Sequence, residues 1–256
     1  LNSIEEIFKS INEDKLDTFQ NMDTFGYTTL QEPLKRLNIC FKIKSDNDDK
    51  YYSGRNGLQE IMKIKENKTE YKRHFDYYNS TDEKVFSIEN IGKYSSKIES
   101  ILNKILNSKG IVLVYSQYLD AGLIPLALAL EELGFGRLKH NNLFSKRQDK
   151  TKLNCLTMNK EKDEDGNFKQ CKYAMITGDK FYSPNNNQEL RILNLEQNKY
   201  GHECKVVLIS QAGSEGLDFK NLRQVHIMEP WYNINRIEQI IGRAIRNCSH
   251  KLLPLK

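Results

Sequence analysis

Near the end of the chain, four polar side chains recur at the spacing of one helix face. They are Arg236, Gln239, Arg243 and Arg246, at intervals of three, four and three residues, so a helix would place them one above another. Acidic residues do not interrupt the stripe. Because a guanidinium group can bind phosphate through two parallel hydrogen bonds, we interpret this face as a phosphate-binding edge. A solvated helix face is the alternative interpretation.

The apolar residues of the same helix also recur at helical spacing. They predict an inward-facing stripe that consists of Ile234, Ile237, Ile241, Ala244 and Ile245. A short apolar run, residues 206–210, and a glycine-bearing turn, residues 211–219, precede the helix. The sequence therefore predicts a buried strand, a polar turn and an amphipathic helix in series.

Strands and helices alternate regularly from residue 88 onwards. Apolar runs predict strands at residues 110–117, 173–179, 205–210 and 225–228, and amphipathic patterns predict helices at residues 94–107, 121–135, 185–198 and 233–246. Continuous apolar strands are typical of parallel sheets that helices cover on both faces. The alternation therefore predicts an α/β fold with a parallel, doubly wound sheet.

A polar, lysine-rich segment from Lys139 to Lys172 interrupts this alternation without a clear periodicity. We interpret it as an inserted surface hairpin or loop, with a hairpin turn at Asp165-Gly166. A disulfide between Cys155 and Cys171 is an alternative that a reducing compartment disfavours.

Hydroxyl residues follow three of the predicted strands. Ser116, Thr177 and Ser210 occupy the same topological position, and Gly178 follows Thr177. In an open parallel sheet, ligands bind at the carboxyl ends of the strands. Hydroxyls and closely approaching backbone N–H groups suit phosphate oxygens, so these residues predict contacts to a nucleic-acid backbone. Ordinary turn residues are the alternative interpretation.

The first 86 residues carry weaker patterns. Residues 1–19 predict a helix and residues 39–45 a strand. Residues 63–81, KIKENKTEYKRHFDYYNST, interleave basic and aromatic side chains. Such a stretch can bind single-stranded nucleic acid, but we interpret it as a solvated linker or helix face.

The composition sets broad limits on the class of protein. A net charge of +5 over 256 residues permits a polyanionic partner without requiring one. Uninterrupted apolar runs stay well short of the roughly 18 residues that a membrane span needs. The five cysteines are scattered and form no CxxC pair, which predicts neither a zinc site nor a disulfide framework and fits a reducing intracellular compartment.

Several of these segments resemble the motifs of superfamily 2 helicases. SQAGSEGLDF and QIIGRAIR are similar to motifs V and VI, VLVYS to motif IV, and ITGD to the strand-end motif between IV and V. The run MEPWYNINRIEQIIGRAIRNCSH most resembles the SNF2-like helicases of the large cytoplasmic DNA viruses, relatives of the poxvirus early transcription factor. The resemblance covers residues 86–256.

The resemblance implies a RecA-like C-terminal lobe at residues 87–256, preceded by a small extension at residues 1–86. ATP would lie in the cleft between this lobe and a second one. Arg243 and Arg246 would reach the γ-phosphate, with Arg246 as the arginine finger, and Gln239 would position the nucleotide or the attacking water. The implied strand-gripping residues are Ser116, Thr177, Gly178 and Ser210.

Further nucleotide contacts follow from the same resemblance. Asp218 matches the motif V acid that contacts ribose, while Gly213 and Gly216 would allow the tight turn that also contains Glu215. Gly242 is the glycine of the QxxGRxxR motif.

A GxxxxGK[ST] sequence is missing from the chain. The lysine that cradles the phosphates and the acid that holds Mg²⁺ are therefore expected in an N-terminal lobe, and the chain alone is expected to be inactive. The ending HKLLPLK favours a truncated piece of a longer protein. Expected partners are DNA or RNA, that N-terminal lobe and transcription machinery, in the cytoplasm or a virion.

Two other functions remain as alternatives. In the first, the lobe is a platform without ATP turnover that binds nucleic acid or protein in a transcription assembly. A Rossmann-type enzyme is disfavoured, because GxGxxG does not follow the first strand.

Overall fold

The computed structural model describes residues 27–43, 49–79, 83–145, 152–184, 186–213, 217–229, 234–246 and 249–253. The predicted helix over residues 1–19 lies outside these ranges, as do Glu215, Gly216 and the side chain of Arg236.

A five-stranded parallel sheet forms the centre of the molecule. Its strands are β5 (Ile111–Tyr115), β6 (Gly136–Arg137), β7 (Lys172–Ile176), β8 (Val206–Ile209) and β9 (Leu222–Ile227), in the spatial order β6-β7-β8-β5-β9. All four neighbouring pairs are parallel. The predicted α/β fold with a parallel, RecA-like sheet is therefore confirmed.

The sheet is buried on both faces because apolar side chains alternate along each strand. Val112, Val114 and Met175 belong to one hydrophobic cluster, whereas Leu113 and Ile176 belong to a second cluster on the opposite face. This two-sided burial explains the continuous apolar runs in the sequence.

Helices connect the strands and cover these faces. In the described residues they are α1 (Tyr27–Asn38), α2 (Gly54–Ile61), α3 (Ser96–Leu106), α4 (Ile124–Glu132), α5 (Asn186–Leu193) and α6 (Ile234–Ala244). Pro125 lies in the first turn of α4, where it needs no N–H partner. None of these described helices is long and apolar enough to cross a membrane.

The interpretation of residues 63–81 as a linker or helix face was wrong. Strands β3 (Met62–Asn67) and β4 (Lys72–Tyr77) form an antiparallel hairpin there. Only one face of it packs: Met62 and Phe75 are fully buried, while the intervening lysines face outwards. A second, shorter pair consists of β1 (Phe41–Ile43) and β2 (Lys50–Tyr52).

The N-terminal hairpins share a hydrophobic cluster with the large sheet. Phe41, Leu58 and Phe75 are packed in the same cluster as Ile98 and Leu126. The predicted boundary at residue 86 stays a proposal.

The described part of the insertion folds back on itself. Asn154 and Gln170 form an isolated antiparallel bridge, and Gly166, at φ +78°, lies in the connecting turn. Cys155 and Cys171 are buried free thiols.

The inward stripe predicted for α6 was partly wrong. Ala244 is buried and Ile237 half-buried, but the most buried isoleucine is Ile240. Ile234 and Ile245 are each 64% exposed, and Ile241 is 38% exposed. The helix is apolar on more than one side, so periodicity alone could not select the face that packs against the sheet.

Candidate nucleotide and nucleic-acid site

The loops that follow β7 and β8 are joined by hydrogen bonds at the carboxyl edge of the sheet. The Ser210 hydroxyl donates to the Thr177 carbonyl oxygen (2.7 Å) and accepts from the Gly213 N–H (3.3 Å). Two of the predicted hydroxyl residues thereby lie side by side. Parallel strands bring them together, because their carboxyl ends share one edge.

Gly213 allows the loop after β8 to cross closely over the end of β7. A Cβ atom at this position would lie 1.9 Å from the carbonyl oxygen of Ile176, far inside van der Waals contact. The neighbouring Gly178 adopts a left-handed φ of +73°, which glycine accepts without strain. Both glycines are therefore required by the backbone itself.

The Thr177 hydroxyl is part of a closed hydrogen-bond chain. Ser183 Oγ donates to the Met175 carbonyl (2.6 Å) and accepts from the Thr177 N–H (2.9 Å). Thr177 Oγ1 therefore donates to Ser183 Oγ (3.0 Å) and accepts from the Asp179 N–H (3.3 Å). The chain fixes the conformation of the loop after β7.

The three predicted hydroxyls point into the protein. Ser116, Thr177 and Ser210 are 0%, 3% and 4% exposed, whereas Gly178 beside them is exposed. Direct contact of these hydroxyls with nucleic acid stays a prediction. Their role in the structure is to shape the loops that present exposed backbone at this edge.

A buried carboxylate holds the loop after β5. Glu229 Oε1 accepts from Ser116 Oγ (2.5 Å) and from the Asn38 amide, and Oε2 accepts from the Gln117 N–H (3.0 Å). Lys97 Nζ donates to Asn38 Oδ1 (2.6 Å). Burial raises the pKa of Glu229, against which the hydrogen bonds from Ser116, Gln117 and Asn38 act.

Sequence reasoning did not identify Glu229 as part of the site. A glutamate directly after an apolar strand was the available signal, because a carboxylate buried there requires several donors. The network joins α1, α3 and the ends of β5 and β9, so the extension helps to position the loop after β5.

Two predicted nucleotide-contacting residues meet at the end of α6. Arg246 forms an ion pair with Asp218, which follows β8, and their side chains are 53% and 61% exposed. Gln239 is exposed on the same helix, and Arg243 is half-buried. The structure therefore places a carboxylate, an amide and two guanidinium groups around one exposed helix face.

Gly242 lies on that face with open space beside it. A Cβ atom built there would have no described atom within 4 Å. Glycine inside a helix is less stable than alanine by about 1 kcal/mol. Packing among the described residues therefore gives no reason for a glycine at this position.

Among the described residues, His, Cys, Asp and Glu side chains form no group of three or more that could hold a metal ion.

The parallel sheet, its strand-end loops and the helix with Gln239, Gly242, Arg243 and Arg246 have the arrangement that the resemblance to the C-terminal lobe of superfamily 2 helicases implies. Residues 137–248 match the family model of the helicase conserved C-terminal domain.

Two viral proteins are similar to part of this chain. A putative ATP-dependent RNA helicase of Acanthamoeba polyphaga mimivirus is 36% identical over 180 residues, which are 70% of this chain and 27% of the relative. A termination factor NPH-I homolog of African swine fever virus is 35% identical over 175 residues, 62% of this chain and 24% of the relative.

A second putative ATP-dependent RNA helicase of the mimivirus aligns with more of the chain. It is 29% identical over 249 residues, which are 92% of this chain and 44% of the relative. The chain thus spans between about a quarter and under a half of the length of these relatives. It resembles superfamily 2 helicases of the NPH-I type in their C-terminal, RecA-like lobe.

Proposed function

We propose that this chain is the C-terminal lobe of an ATP-dependent nucleic-acid helicase or translocase, with an arginine finger and part of the nucleic-acid track. The observation that carries the proposal is the exposed face of α6, where Gln239, Gly242 and Arg246 lie together with Asp218 beside Arg246.

Arg246 is available for a phosphate because its present partner holds it weakly. An ion pair between two half-exposed side chains contributes about 0–1 kcal/mol, so Arg246 leaves Asp218 at little cost when a γ-phosphate approaches. An arginine finger accelerates phosphoryl transfer by about 10³–10⁵ in GTPases. Asp218, once released, is positioned to accept a hydrogen bond from a ribose hydroxyl.

The residues present fit one side of a bound ATP. Among the described residues, the space at Gly242 admits a phosphate or a neighbouring backbone without a clash, while Arg243 and Gln239 add donors at its margins. ATP bound there would supply the γ-phosphoryl group. A second lobe would hold Mg²⁺ and the remaining phosphate contacts.

The nucleic-acid track follows the carboxyl edge of the sheet. Gly178 presents exposed backbone there, and the buried hydroxyls of Thr177, Ser210 and Ser116 fix the loops around it. Backbone N–H groups at such an edge contact phosphates without reading the base sequence. DNA and RNA are both compatible with this arrangement.

The names of the relatives support the same proposal. Two are called putative ATP-dependent RNA helicases and one a termination factor NPH-I homolog. All three are viral, which supports a place in the cytoplasm or a virion. The name of the termination factor supports a connection with transcription machinery.

The test is ATP turnover by the complete protein that carries this chain, with single-stranded nucleic acid present. We expect Arg246→Ala to slow turnover at least about a thousandfold without lowering the melting temperature, because the side chain is half-exposed. Arg191→Ala, an exposed arginine on α5, serves as the matched control and should turn over ATP normally.

The 256-residue chain alone should not hydrolyse ATP. Robust ATP turnover by the chain alone, or normal ATP turnover by the Arg246→Ala variant, would contradict the proposal. A complete protein that binds nucleic acid but never turns over ATP would favour the alternative of a platform in a transcription assembly, which the termination-factor relative supports.

A further inference from the structure

The hairpin of β3 and β4 has a polar, aromatic tip outside the nucleotide site. The tip comprises residues 68–71, and the Asn67 side chain accepts from the N–H groups of Thr69 and Glu70 at 3.1 Å each. The pairing from Met62↔Tyr77 to Asn67↔Lys72 is regular. The turn is therefore held by its own side chain and is well defined.

Tyr71 is an unusual residue at this tip. It adopts a left-handed φ of +48° and is 48% exposed. A tyrosine in this conformation is strained by roughly 1–2 kcal/mol, which glycine or asparagine would avoid. Strained residues persist only where the surrounding structure holds them, and they are frequent at ligand-binding sites.

The Tyr71 ring lies against the loop that follows β7. Its centroid is 5.8 Å from that of Phe181, with the two rings at 69°, and Lys180 Nζ lies over the Tyr71 ring, 5.8 Å from its centroid. Phe181 is three residues beyond Gly178, the exposed glycine of the track. The hairpin tip is thus continuous with the strand-end loops.

Arg73 anchors the hairpin to this loop. Its guanidinium carbon lies 4.6 Å from the Phe181 centroid and 5.0 Å from the Tyr182 centroid. It also donates to Tyr182 Oη (2.6 Å) and pairs with Glu66 (2.8 Å). The Tyr71 ring is therefore presented from a fixed support.

The charges around the tip favour an anionic ligand. Each nearby hairpin acid is engaged by a cation, in the pairs Glu66 with Arg55 and Arg73, Glu70 with Lys72, and Asp76 with Lys65. Asp179, in the loop after β7, is a further acid that acts on Arg73. Lys68 and Lys180 add positive charge at the tip.

We propose that Tyr71, supported by Phe181 and with Lys180 over one face of its ring, is a stacking platform for one base of a single-stranded nucleic acid on the other face. The platform adds a nucleotide subsite to the track and so rests on the proposed function. Stacking on a tyrosine accepts any base, and a lysine beside it contacts the adjoining phosphate. The platform extends the track from the large sheet onto the N-terminal hairpin.

The experiment uses the complete protein and fluorescein-labelled oligo(dT) and oligo(U), with affinity measured by anisotropy at several salt concentrations. Tyr71→Gly removes the ring but relieves the left-handed strain, so the fold is retained or stabilised. We expect about tenfold weaker binding, or about 1.4 kcal/mol, with an unchanged slope of log K against log salt. Tyr71→Phe should bind as the native protein does.

Two further variants separate stacking from general effects. Tyr200→Ala is the matched control: Tyr200 is 38% exposed with a lysine over its ring, but it precedes β8 and lies at the amino edge of the sheet. The Tyr200→Ala variant should bind both oligonucleotides as the native protein does. Lys180→Ala should lower the salt slope by about 0.7 for the loss of one phosphate contact.

The outcomes distinguish the two proposals. Native binding that is unaffected by Tyr71→Gly overturns the platform and leaves the track intact. A native protein that binds neither oligonucleotide overturns the track and the platform together.

Discussion

Arg246 is paired with Asp218, so the residue just beyond α6 is tied to the segment that follows β8. Both residues belong to the proposed nucleotide site, yet here they neutralise each other. Because both side chains are more than half exposed, the pair is a weak and reversible contact.

Asp218→Ala should change the free energy of unfolding by less than about 1 kcal/mol, while it removes an acceptor for a ribose hydroxyl. We expect the complete protein to prefer ATP to its deoxy counterpart in kcat/KM, and the variant to lose that preference. Steady-state kinetics with the two nucleotides measures this preference. Asp165→Ala, an exposed acid of the insertion, should keep the preference; an undiminished preference in Asp218→Ala would remove Asp218 from the site.

Gly213→Ala should destabilise the fold. Its Cβ would meet the Ile176 carbonyl oxygen at 1.9 Å, and backbone cannot move aside as a flexible side chain can. Overpacking of this kind costs about 1–3 kcal/mol or more, so the urea midpoint should fall. An unchanged midpoint would show that the two loops are not in close contact.

Gly242→Ala should have the opposite effect on stability. Its added methyl group meets no described atom, so better helix propensity should stabilise the chain by up to about 1 kcal/mol. ATP turnover of the complete protein should nevertheless fall, because the methyl group intrudes on the proposed phosphate side. Denaturant titration and turnover assays test the two effects separately, and an active Gly242→Ala variant would contradict the assignment.

The buried carboxyl of Glu131 should lower the free energy of unfolding as the pH rises from about 4.5 to about 7. This buried carboxyl accepts from the N–H groups of Leu143 (2.7 Å) and Phe144 (2.9 Å) and from the Tyr173 hydroxyl (2.5 Å). Burial raises its pKa from 4.5 to about 7 in spite of these donors. The folded state therefore binds more protons than the unfolded state across this interval.

The stabilisation linked to Glu131 is complete below pH 4.5 and is lost as the pH rises through 7, a decline of roughly 3 kcal/mol. Glu131→Gln cannot titrate, so its unfolding free energy should lack this component even if the variant is less stable overall. Denaturant titrations at pH 5 and pH 8 measure this pH-dependent component of the unfolding free energy. Equal pH slopes for the native protein and the variant would contradict the shifted pKa.

Ser116→Ala separates a positioning role from direct contact. The hydroxyl is fully buried on Glu229, so its removal takes a donor from a buried carboxylate and should destabilise the fold by about 1–3 kcal/mol. Nucleic-acid affinity of the folded protein should change little. A large loss of affinity at unchanged stability would instead support direct contact with the strand.

The order along the chain of β5, β7, β8 and β9 and of the helices among them was predictable because local patterns carry it. The two-residue edge strand β6 was not predicted. Runs such as residues 111–115 are apolar at every position, which only a strand covered on both faces requires. The strand-end positions of Thr177 and Ser210 followed, since parallel strands share one carboxyl edge. The helicase resemblance of the α6 segment was equally visible in the sequence.

Other features depended on contacts between segments far apart in the chain. The β3–β4 hairpin was not predicted because its lysine-rich, aromatic sequence has only one weakly apolar face. The segment forms strands because Phe75 packs into the shared core. Tyr71 lies beside Phe181 for the same reason. Neither spacing nor composition relates two residues so distant in sequence.

The sequence by itself determined the parallel sheet, the edge where its loops meet and the arginines of α6. Tertiary structure decided which side chains of those elements reach the surface. Burial against the sheet chose Ile240 over Ile241 as the more buried residue and turned the Ser116 hydroxyl onto Glu229. A periodic pattern limits the faces that a helix or strand can bury, and only the packing of distant elements selects one of them.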